Sequence, residues 1–207
     1  MITPRGADGR VVFSAADNGD LRSDRKAQLA FARRVGAGSD WATVDQVHSG
    51  AVIEVSAGGS AGEADALWTS ARDLPLAIFT ADCFPVAVEA SLAVGLAHAG
   101  WRGVAAGVVA NLREAMAAAG FEPERAFIGP GIGPCCFEVG EEVAERFPGM
   151  TGETTWGTAS VDLRSAIRSQ LEGMNVWESS SCTVHDPGWY SHRAEGAHER
   201  QAAVAWV

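Results

Sequence analysis

Residues 74–88 carry the strongest buried-strand pattern in the chain. Two apolar runs flank Thr80-Ala81-Asp82-Cys83, and continuous apolar runs are typical of strands that are covered on both faces. Pro85 has no backbone N–H to donate, so we expect a break or an edge position beside Cys83. The polar interruption therefore marks a place where buried strands give way to a loop.

A second buried strand leads into a glycine turn and then a helix. Residues 92–97 are apolar, residues 98–103 supply the turn, and residues 104–119 are predicted as a helix that Gly120 ends. Strand, turn and helix in this order form one α/β unit. The predicted fold class is therefore α/β, with a single mixed-sheet domain over residues 1–207.

The remaining elements follow from periodicity and from turn-forming residues. Strands are predicted at 10–15, 41–47, 52–55, 126–128 and 201–207, helices at 23–35, 139–147 and 162–171, and a Gly/Ala/Ser-rich loop at 57–62. Because no internal repeat, linker or low-complexity tract interrupts the chain, we expect one domain.

The charge of the chain excludes several classes of function. Asp and Glu number 26 against 16 Lys and Arg, for a net charge of −10. Nucleic-acid backbones and anionic membranes both require a basic face, so we expect neither as a partner. The N-terminal residues lack the apolar core of a signal peptide, and no apolar run approaches the length of a membrane span. A cytoplasmic location is expected.

Four cysteines, Cys83, Cys135, Cys136 and Cys182, are too few for a disulfide scaffold in a chain of 207 residues. Cys135 and Cys136 are adjacent and cannot pair with each other without strain. In a reducing compartment these thiols are core residues, metal ligands or nucleophiles.

Three side chains able to bind a metal stand at predicted strand ends: His48, Cys83 and His98. Strand ends are the usual location of sites in α/β proteins. Two imidazoles and one thiolate suit zinc and leave a fourth position open, although core histidines and a buried free thiol fit the same placement. Alternatively, Cys83 is a nucleophile with His98 or His48 as its base. A thiolate cannot readily hold a metal and attack a substrate at the same moment.

Further polar residues are candidates for chemistry or binding. Asp65 and Asp82 are candidate acid–base groups, or carboxylates that only orient a neighbour or cap a turn. Arg102 and Arg193 are candidate phosphate contacts, with a simple surface position as the alternative. The glycine turn at 129–133 either presents backbone N–H groups to an anion or connects two elements.

Ordered motifs along the chain resemble those of one known family. They are Gln46-Val47-His48, Thr80-Ala81-Asp82-Cys83-Phe84-Pro85-Val86, His98-Ala99-Gly100-Trp101-Arg102-Gly103, the run from Gly129 to Val139, Asp162-Leu163, Cys182-Thr183 and Tyr190-Ser191-His192-Arg193. The chain is identified by them as a member of the laccase-domain group, formerly labelled multicopper polyphenol oxidases and now understood as purine nucleoside phosphorylases. The resemblance extends from about residue 10 to the C-terminus.

The resemblance implies a fold, a metal and an activity. Members are similar to the α/β/α-layered cytotoxic necrotizing factor deamidases, and His48, Cys83 and His98 match the family's zinc ligands. The implied activities are phosphorolysis of adenosine, inosine, guanosine and methylthioadenosine, and hydrolytic deamination of adenosine, by a monomer whose partners are nucleosides and phosphate. Asp65 and Asp82 are then the candidate proton-transfer groups, and Gln46, Arg102 and Arg193 the candidate substrate contacts.

Two alternatives to this activity remain open. One is an amide hydrolase that edits peptidoglycan precursors, and the other is a zinc-stabilised binding protein without turnover. The second is favoured by a departure from the family pattern, because Ala15-Ala16-Asp17-Asn18-Gly19 lacks the usual arginine and double glycine. A glycine is also replaced by Glu199.

The older oxidase label conflicts with the histidine count. The chain has five histidines, and a type 1 copper site formed by His48, Cys83 and His98 would leave three. Three imidazoles are too few for a separate trinuclear copper cluster. Copper is therefore expected only as an adventitious occupant of the zinc site.

Overall fold

The computed structural model describes residues 1–4 and 10–207; residues 5–9, part of the N-terminal segment considered above for a signal peptide, lie outside the described residues. The strands are β1 (Val11–Phe13), β2 (Ala42–Asp45), β3 (Val52–Glu54), β4 (Gly59–Glu63), β5 (Ala66–Thr69), β6 (Leu76–Thr80), β7 (Phe84–Ala90), β8 (Ala93–Ala99), β9 (Arg125–Ile128), β10 (Thr151–Glu153), β11 (Ala159–Val161), β12 (Asn175–Glu178) and β13 (Gln201–Ala205). The helices are α1 (Arg25–Val35), α2 (Trp101–Ala105), α3 (Val108–Ala118), α4 (Glu141–Ala144), α5 (Leu163–Ser169) and α6 (His192–Glu195), and a 3₁₀ turn covers Ala16–Asn18.

Two mixed sheets form the centre of the molecule. The first has the order β1-β13-β6-β2-β4 and the second the order β12-β9-β7-β8-β5-β3, while β10 and β11 form a small separate hairpin. In the first sheet β2 runs parallel to β4 and β6, whereas β13 is antiparallel to both of its neighbours. In the second sheet β7 and β8 are antiparallel and β9 is parallel to β12. The predicted α/β class with mixed sheets is confirmed.

The apolar side chains divide the protein into layers. Phe31 of α1 packs with Trp41 and Val204 on the outer face of the first sheet. Ile78 and Leu96 belong to the core between the two sheets. Helices α3 and α5 cover the opposite face of the second sheet. The helical layers therefore enclose a β layer that is two sheets thick.

Helix α1 shows how local sequence sets an element's ends. The Asp24 carboxylate accepts hydrogen bonds from the N–H groups of Lys26 and Ala27, which would otherwise lack partners at the helix start. Gly36 ends the helix in the left-handed conformation. The predicted helix at 23–35 is confirmed.

Other sequence predictions need correction. The prediction of a loop at 57–62 is wrong, because Gly59–Glu63 forms strand β4. This strand lies exposed at the edge of its sheet, and its backbone pairing with β2 does not require alternating apolar residues. The helix predicted at 104–119 is divided into α2 and α3, since Gly107 adopts a left-handed φ of 76°. The helix predicted at 139–147 is only the single turn α4.

Pro85 occupies a less disruptive place than expected. The break in the chain falls at residues 81–83, and Pro85 is the second residue of β7, where it lies opposite His98 of β8. Strands β5, β10, β11 and β12 and helix α6 were not predicted from the sequence. Among the described residues, we find no helix with both the length and the apolar character that crossing a membrane requires.

Candidate metal centre and substrate cleft

Three strand ends bring His48, Cys83 and His98 together. His48 follows β2, Cys83 lies between β6 and β7, and His98 is the penultimate residue of β8. The ligand atoms of these three side chains all lie within 4.8 Å of one another. His98 is buried, Cys83 is half-buried and His48 is exposed, so one side of the group is open to solvent.

The backbone is strained at two positions around this group. His48 has φ 61° and Asp82 has φ 85°, both in the left-handed region that non-glycine residues rarely occupy. Such a conformation costs about 1–3 kcal/mol, and it persists only where the surrounding structure enforces it. At these positions it turns His48 and the Asp82–Cys83 loop towards His98.

Gly100 provides the space in which two of the side chains meet. A Cβ atom at this position would lie 2.8 Å from Cδ2 of His48 and 2.9 Å from Sγ of Cys83. Contacts below 3.0 Å require atoms to move, so any larger residue would push the imidazole and the thiol apart.

Asp65 fixes the orientation of His98. Its Oδ1 lies 2.8 Å from His98 Nδ1, and both side chains are buried. Its Oδ2 accepts hydrogen bonds from the N–H of Val47 (3.2 Å) and from the N–H and hydroxyl of Ser49. With Nδ1 engaged, Nε2 of His98 is the nitrogen left for Cys83 or a metal ion, as in the carboxylate–histidine pairs of metalloproteins.

Opposite charges develop on Cys83 and His98. Burial acts to raise the pKa of the Cys83 thiol, but the charge of His98 and hydrogen bonds from both imidazoles lower it to about 6. Burial acts to lower the pKa of His98, but the Cys83 thiolate and the Asp65 carboxylate raise it to about 9. Hydrogen bonds from His98 and Ser49 outweigh burial and hold the pKa of Asp65 well below its usual range. A thiolate with two imidazoles is a donor set that fits zinc or copper.

Asp82 and Gln46 hold the walls of the site. The Asp82 carboxylate accepts hydrogen bonds from Thr183 Oγ1 and from the backbone N–H of Arg193, both at 2.7 Å. The Gln46 amide pairs with the backbone of Phe79 in both directions, at 2.8 and 2.9 Å. These contacts occupy the polar atoms of two residues that were predicted to act in catalysis or substrate binding.

A cleft of about 430 Å³ opens over these three candidate metal ligands. This volume lies in the range of small-molecule sites. Its lining includes three aromatic side chains and three arginines: Phe79, Trp101, Phe137, Arg22, Arg193 and Arg200. In a chain of net charge −10, this concentration of cations favours a negatively charged ligand group.

The structure separates the two arginines proposed from the sequence. Arg193 lines the cleft, with its guanidinium on the Glu138 carbonyl and over the Phe137 ring. Arg102 lies over the Trp101 ring instead, and it is not among the described residues that line the cleft.

Arg22 and Arg200, which also line the cleft, were not predicted from the sequence. Their backbone N–H groups both donate to Asp20 Oδ1 at 3.1 Å, which joins two segments that are remote in sequence. No local pattern signals this pairing. The buried Thr80 hydroxyl, which finds no hydrogen-bond partner among the described residues, was also missed at the cleft wall.

The other histidines do not form a second imidazole site. His185, His192 and His198 are exposed, and none belongs to a metal-binding group among the described residues. The ligand count expected for a multicopper oxidase is therefore not met by these side chains.

The fold and this site define a mixed α/β protein with a candidate His–Cys–His metal centre beneath an arginine-lined cleft. The model of one family, described as multi-copper polyphenol oxidoreductase laccase, matches residues 13–207. The chain belongs to this family, which confirms the resemblance drawn from its motifs.

Relatives and solved structures agree with the assignment. The chain is 40% identical over 154 residues to a purine nucleoside phosphorylase of Streptomyces griseus, covering 69% of this chain but only 63% of the relative. It is 38% identical over 186 residues to a purine nucleoside phosphorylase of Deinococcus radiodurans, covering 84% and 72%. The crystal structure of YlmD from Geobacillus stearothermophilus superposes with a TM-score of 0.80 at 28% identity, covering 90% of this chain and 82% of that one.

Proposed function

We propose that this protein is a zinc-dependent purine nucleoside phosphorylase that acts on adenosine, inosine, guanosine and methylthioadenosine. Hydrolytic deamination of adenosine is the second activity we propose for the same site. The observation that carries the proposal is a single cleft that joins a His–Cys–His group, aromatic walls and three arginines. The names of the relatives support it.

The cleft offers contacts suited to both substrates. Phe79, Trp101 and Phe137 provide apolar ring surfaces against which a purine can stack. Arg22 and Arg200 provide guanidinium groups of the kind that pair with phosphate oxygens in a forked geometry. Neither contact depends on Arg102 or on the arginine that the N-terminal segment lacks.

In phosphorolysis a phosphate oxygen bonds to C1′ of the ribose while the bond from C1′ to the purine nitrogen breaks. The purine leaves with the bonding electrons and takes up a proton, and positive charge develops on the sugar ring. Arginine side chains that fix the phosphate near C1′ lower the barrier by positioning and by electrostatic stabilisation. A zinc ion held by His48, Cys83 and His98 would supply a Lewis acid at the floor of the cleft.

We assign Asp65 and Asp82 to positioning rather than proton transfer. Asp65 remains ionised at neutral pH and holds Nδ1 of His98, so it is a weak base for any substrate proton. Both oxygens of Asp82 are engaged with Thr183 and Arg193. Asp82 therefore acts on the substrate through the placement of Arg193.

One observation favours a second candidate, an amide hydrolase with Cys83 as its nucleophile. A thiolate paired with an imidazolium is also the arrangement that activates a cysteine nucleophile. The two candidates respond differently to metal removal and to Cys83→Asp. A metal ligand tolerates the change in part because oxygen also binds zinc, whereas a nucleophile does not.

The test is incubation of purified, metal-quantified protein with adenosine, with and without phosphate. Phosphate-dependent release of adenine supports phosphorolysis, and inosine supports deamination. If the zinc-loaded protein leaves adenosine unchanged, both proposed activities are contradicted. That result would favour a binding protein without turnover. Full activity after metal stripping, together with a trapped acyl-thioester on a peptidoglycan-type amide, would favour the hydrolase.

A further inference from the structure

A second group of metal-binding side chains lies behind the cleft wall. Cys135 and Cys136 follow the Gly133-Pro134 turn, and Cys182 follows β12. Their three sulfur atoms all lie within 4.8 Å of one another. Sulfurs bound to one metal ion at about 2.3 Å stand about 3.8 Å apart, so little movement would bring all three into one coordination sphere.

Backbone contacts hold the three cysteines in this arrangement. The N–H of Gly133 donates to Sγ of Cys182 at 3.2 Å, and the N–H of Cys136 donates to the Gly133 carbonyl at 3.0 Å. The N–H of Thr183 donates to the Gly131 carbonyl at 3.1 Å, which fixes the Cys182 segment beside the turn. These contacts fix the two backbone segments that carry the cysteines, and they fix the sulfur of Cys182 as well.

The three thiols of this group differ in acidity. Burial acts to raise the pKa of Cys182, but backbone hydrogen bonds from Gly133, His185 and Val184 outweigh it and lower that pKa. Burial and the neighbouring sulfurs raise the pKa of Cys136 to about 12. A metal ion bound by all three sulfurs would displace the protons of Cys135 and Cys136, whose pKa values are both raised.

We propose that Cys135, Cys136 and Cys182 form a second metal site, selective for a thiophilic d¹⁰ ion, Zn²⁺ or Cu⁺. The ligand atoms that this second group offers among the described residues are all sulfur. Soft thiolate ligands select ions of this kind. Cys135 is only half-buried, so it provides a path for the metal and an open position for water.

This site has a structural role. Ile132 and Phe137, on either side of the cysteine turn, line the cleft, and Thr183, next to Cys182, holds Asp82. A metal ion would join the turn to the Cys182 segment and so brace the cleft wall. The proposal does not depend on the proposed function, because a binding protein without turnover would need the same brace.

The test is metal binding by variants that separate the two sites. Zn²⁺ is measured by equilibrium dialysis and Cu⁺ by competition with a chromophoric chelator, both on reduced, metal-free protein. The Cys83→Ser variant, which lacks a ligand of the first site, should retain one equivalent of Zn²⁺ or Cu⁺. Adding Cys182→Ser should weaken that binding by more than about 100-fold, because it removes a ligand itself rather than a group that supports one.

If Cys182→Ser fails to fold, the half-buried Cys135 offers a second position for substitution. Cys83→Ser with Cys135→Ala should show the same loss with an unchanged far-ultraviolet circular dichroism spectrum. The proposal is overturned if Cys83→Ser alone binds neither ion. It is also overturned if alkylation of the unreduced, denatured protein shows a disulfide among the three cysteines in place of free thiols.

Discussion

The Asp65→Asn variant isolates the contribution of histidine orientation to metal binding. One carboxylate oxygen accepts from Nδ1 of His98, and the other accepts from the N–H and hydroxyl of Ser49 and the N–H of Val47. An amide has one oxygen, so it can accept hydrogen bonds either from His98 or from Val47 and Ser49, but not from both sides. If its nitrogen faces His98, the imidazole must take the tautomer with the proton on Nε2, where a metal ion needs the lone pair. If its nitrogen faces Ser49, buried donors oppose one another.

In either orientation of the amide, we expect the variant to lose metal affinity. Removal of a carboxylate that orients a ligating histidine typically lowers metal affinity 10–100-fold, which corresponds to about 1.4–2.7 kcal/mol. The charge of Cys83, the first contribution that raises the pKa of His98, is retained in the variant. Proton competition at Nε2 therefore persists, and the loss reports mainly on orientation.

The assay is competition for Zn²⁺ with a chromophoric chelator at fixed pH. Ser49→Ala is the matched control, because it removes one donor to Asp65 and leaves the bond to His98 Nδ1 in place. We expect a change of less than about threefold for this control. A folded Asp65→Asn protein with wild-type zinc affinity would refute the assignment of Asp65 as the group that orients His98.

Three further predictions concern the cleft and its floor. Arg22→Ala and Arg200→Ala should each raise the phosphate half-saturation constant roughly 10–100-fold, because a hydrogen bond to a charged group contributes about 1.5–3 kcal/mol. Deamination measured without phosphate should stay unchanged in both variants. Gly100→Ala should reduce zinc affinity by separating the ligands, whereas Gly140→Ala, with open space around it, should not. Zinc affinity should rise about tenfold per pH unit from pH 7 to 9 and then level off, because the metal displaces one proton from His98, whose pKa is about 9.

Each of these predictions has a contrary outcome. Phosphate kinetics unchanged in both arginine variants would place the phosphate elsewhere. Equal zinc affinity in the two glycine variants would show that the ligands tolerate a Cβ atom between them. A flat affinity from pH 7 to 9 would mean that His98 is already neutral in the metal-free protein.

The sequence was most informative where a polar residue interrupts an apolar run. Residues 77–80 and 92–97 identify themselves as buried strands, and Cys83 and His98 follow from their position at the ends. Their juxtaposition was not predictable in the same way, because β2 and β6 lie in one sheet and β8 in the other, so these ends meet only through the stacking of the two sheets. Residue type and placement therefore singled out His48, Cys83 and His98 but left a metal site, a cysteine nucleophile and core residues open, and the family motifs favoured the metal site.

Features that depend on long-range pairing were not predictable. Arg22 and Arg200 meet through Asp20, and no local pattern of charge or periodicity distinguishes them from the other surface arginines. The left-handed backbone of His48 is likewise set by its surroundings, because histidine enters this region more often than most non-glycine residues but still only in a minority of cases. The stacking of two sheets was not predictable either. The apolar pattern of a strand would be the same in a single sheet as in two stacked sheets, so the pattern does not distinguish them.

The central claim joins a metal at His48, Cys83 and His98 to phosphorolysis in the cleft above. Its most direct test follows inosine and inorganic phosphate by ³¹P nuclear magnetic resonance, using metal-stripped protein and the same protein with one zinc ion restored to this site. The account predicts a ribose 1-phosphate signal that appears with zinc and is absent in the Cys83→Ser variant. Equal formation of ribose 1-phosphate without zinc, or none with the site fully loaded, would contradict it.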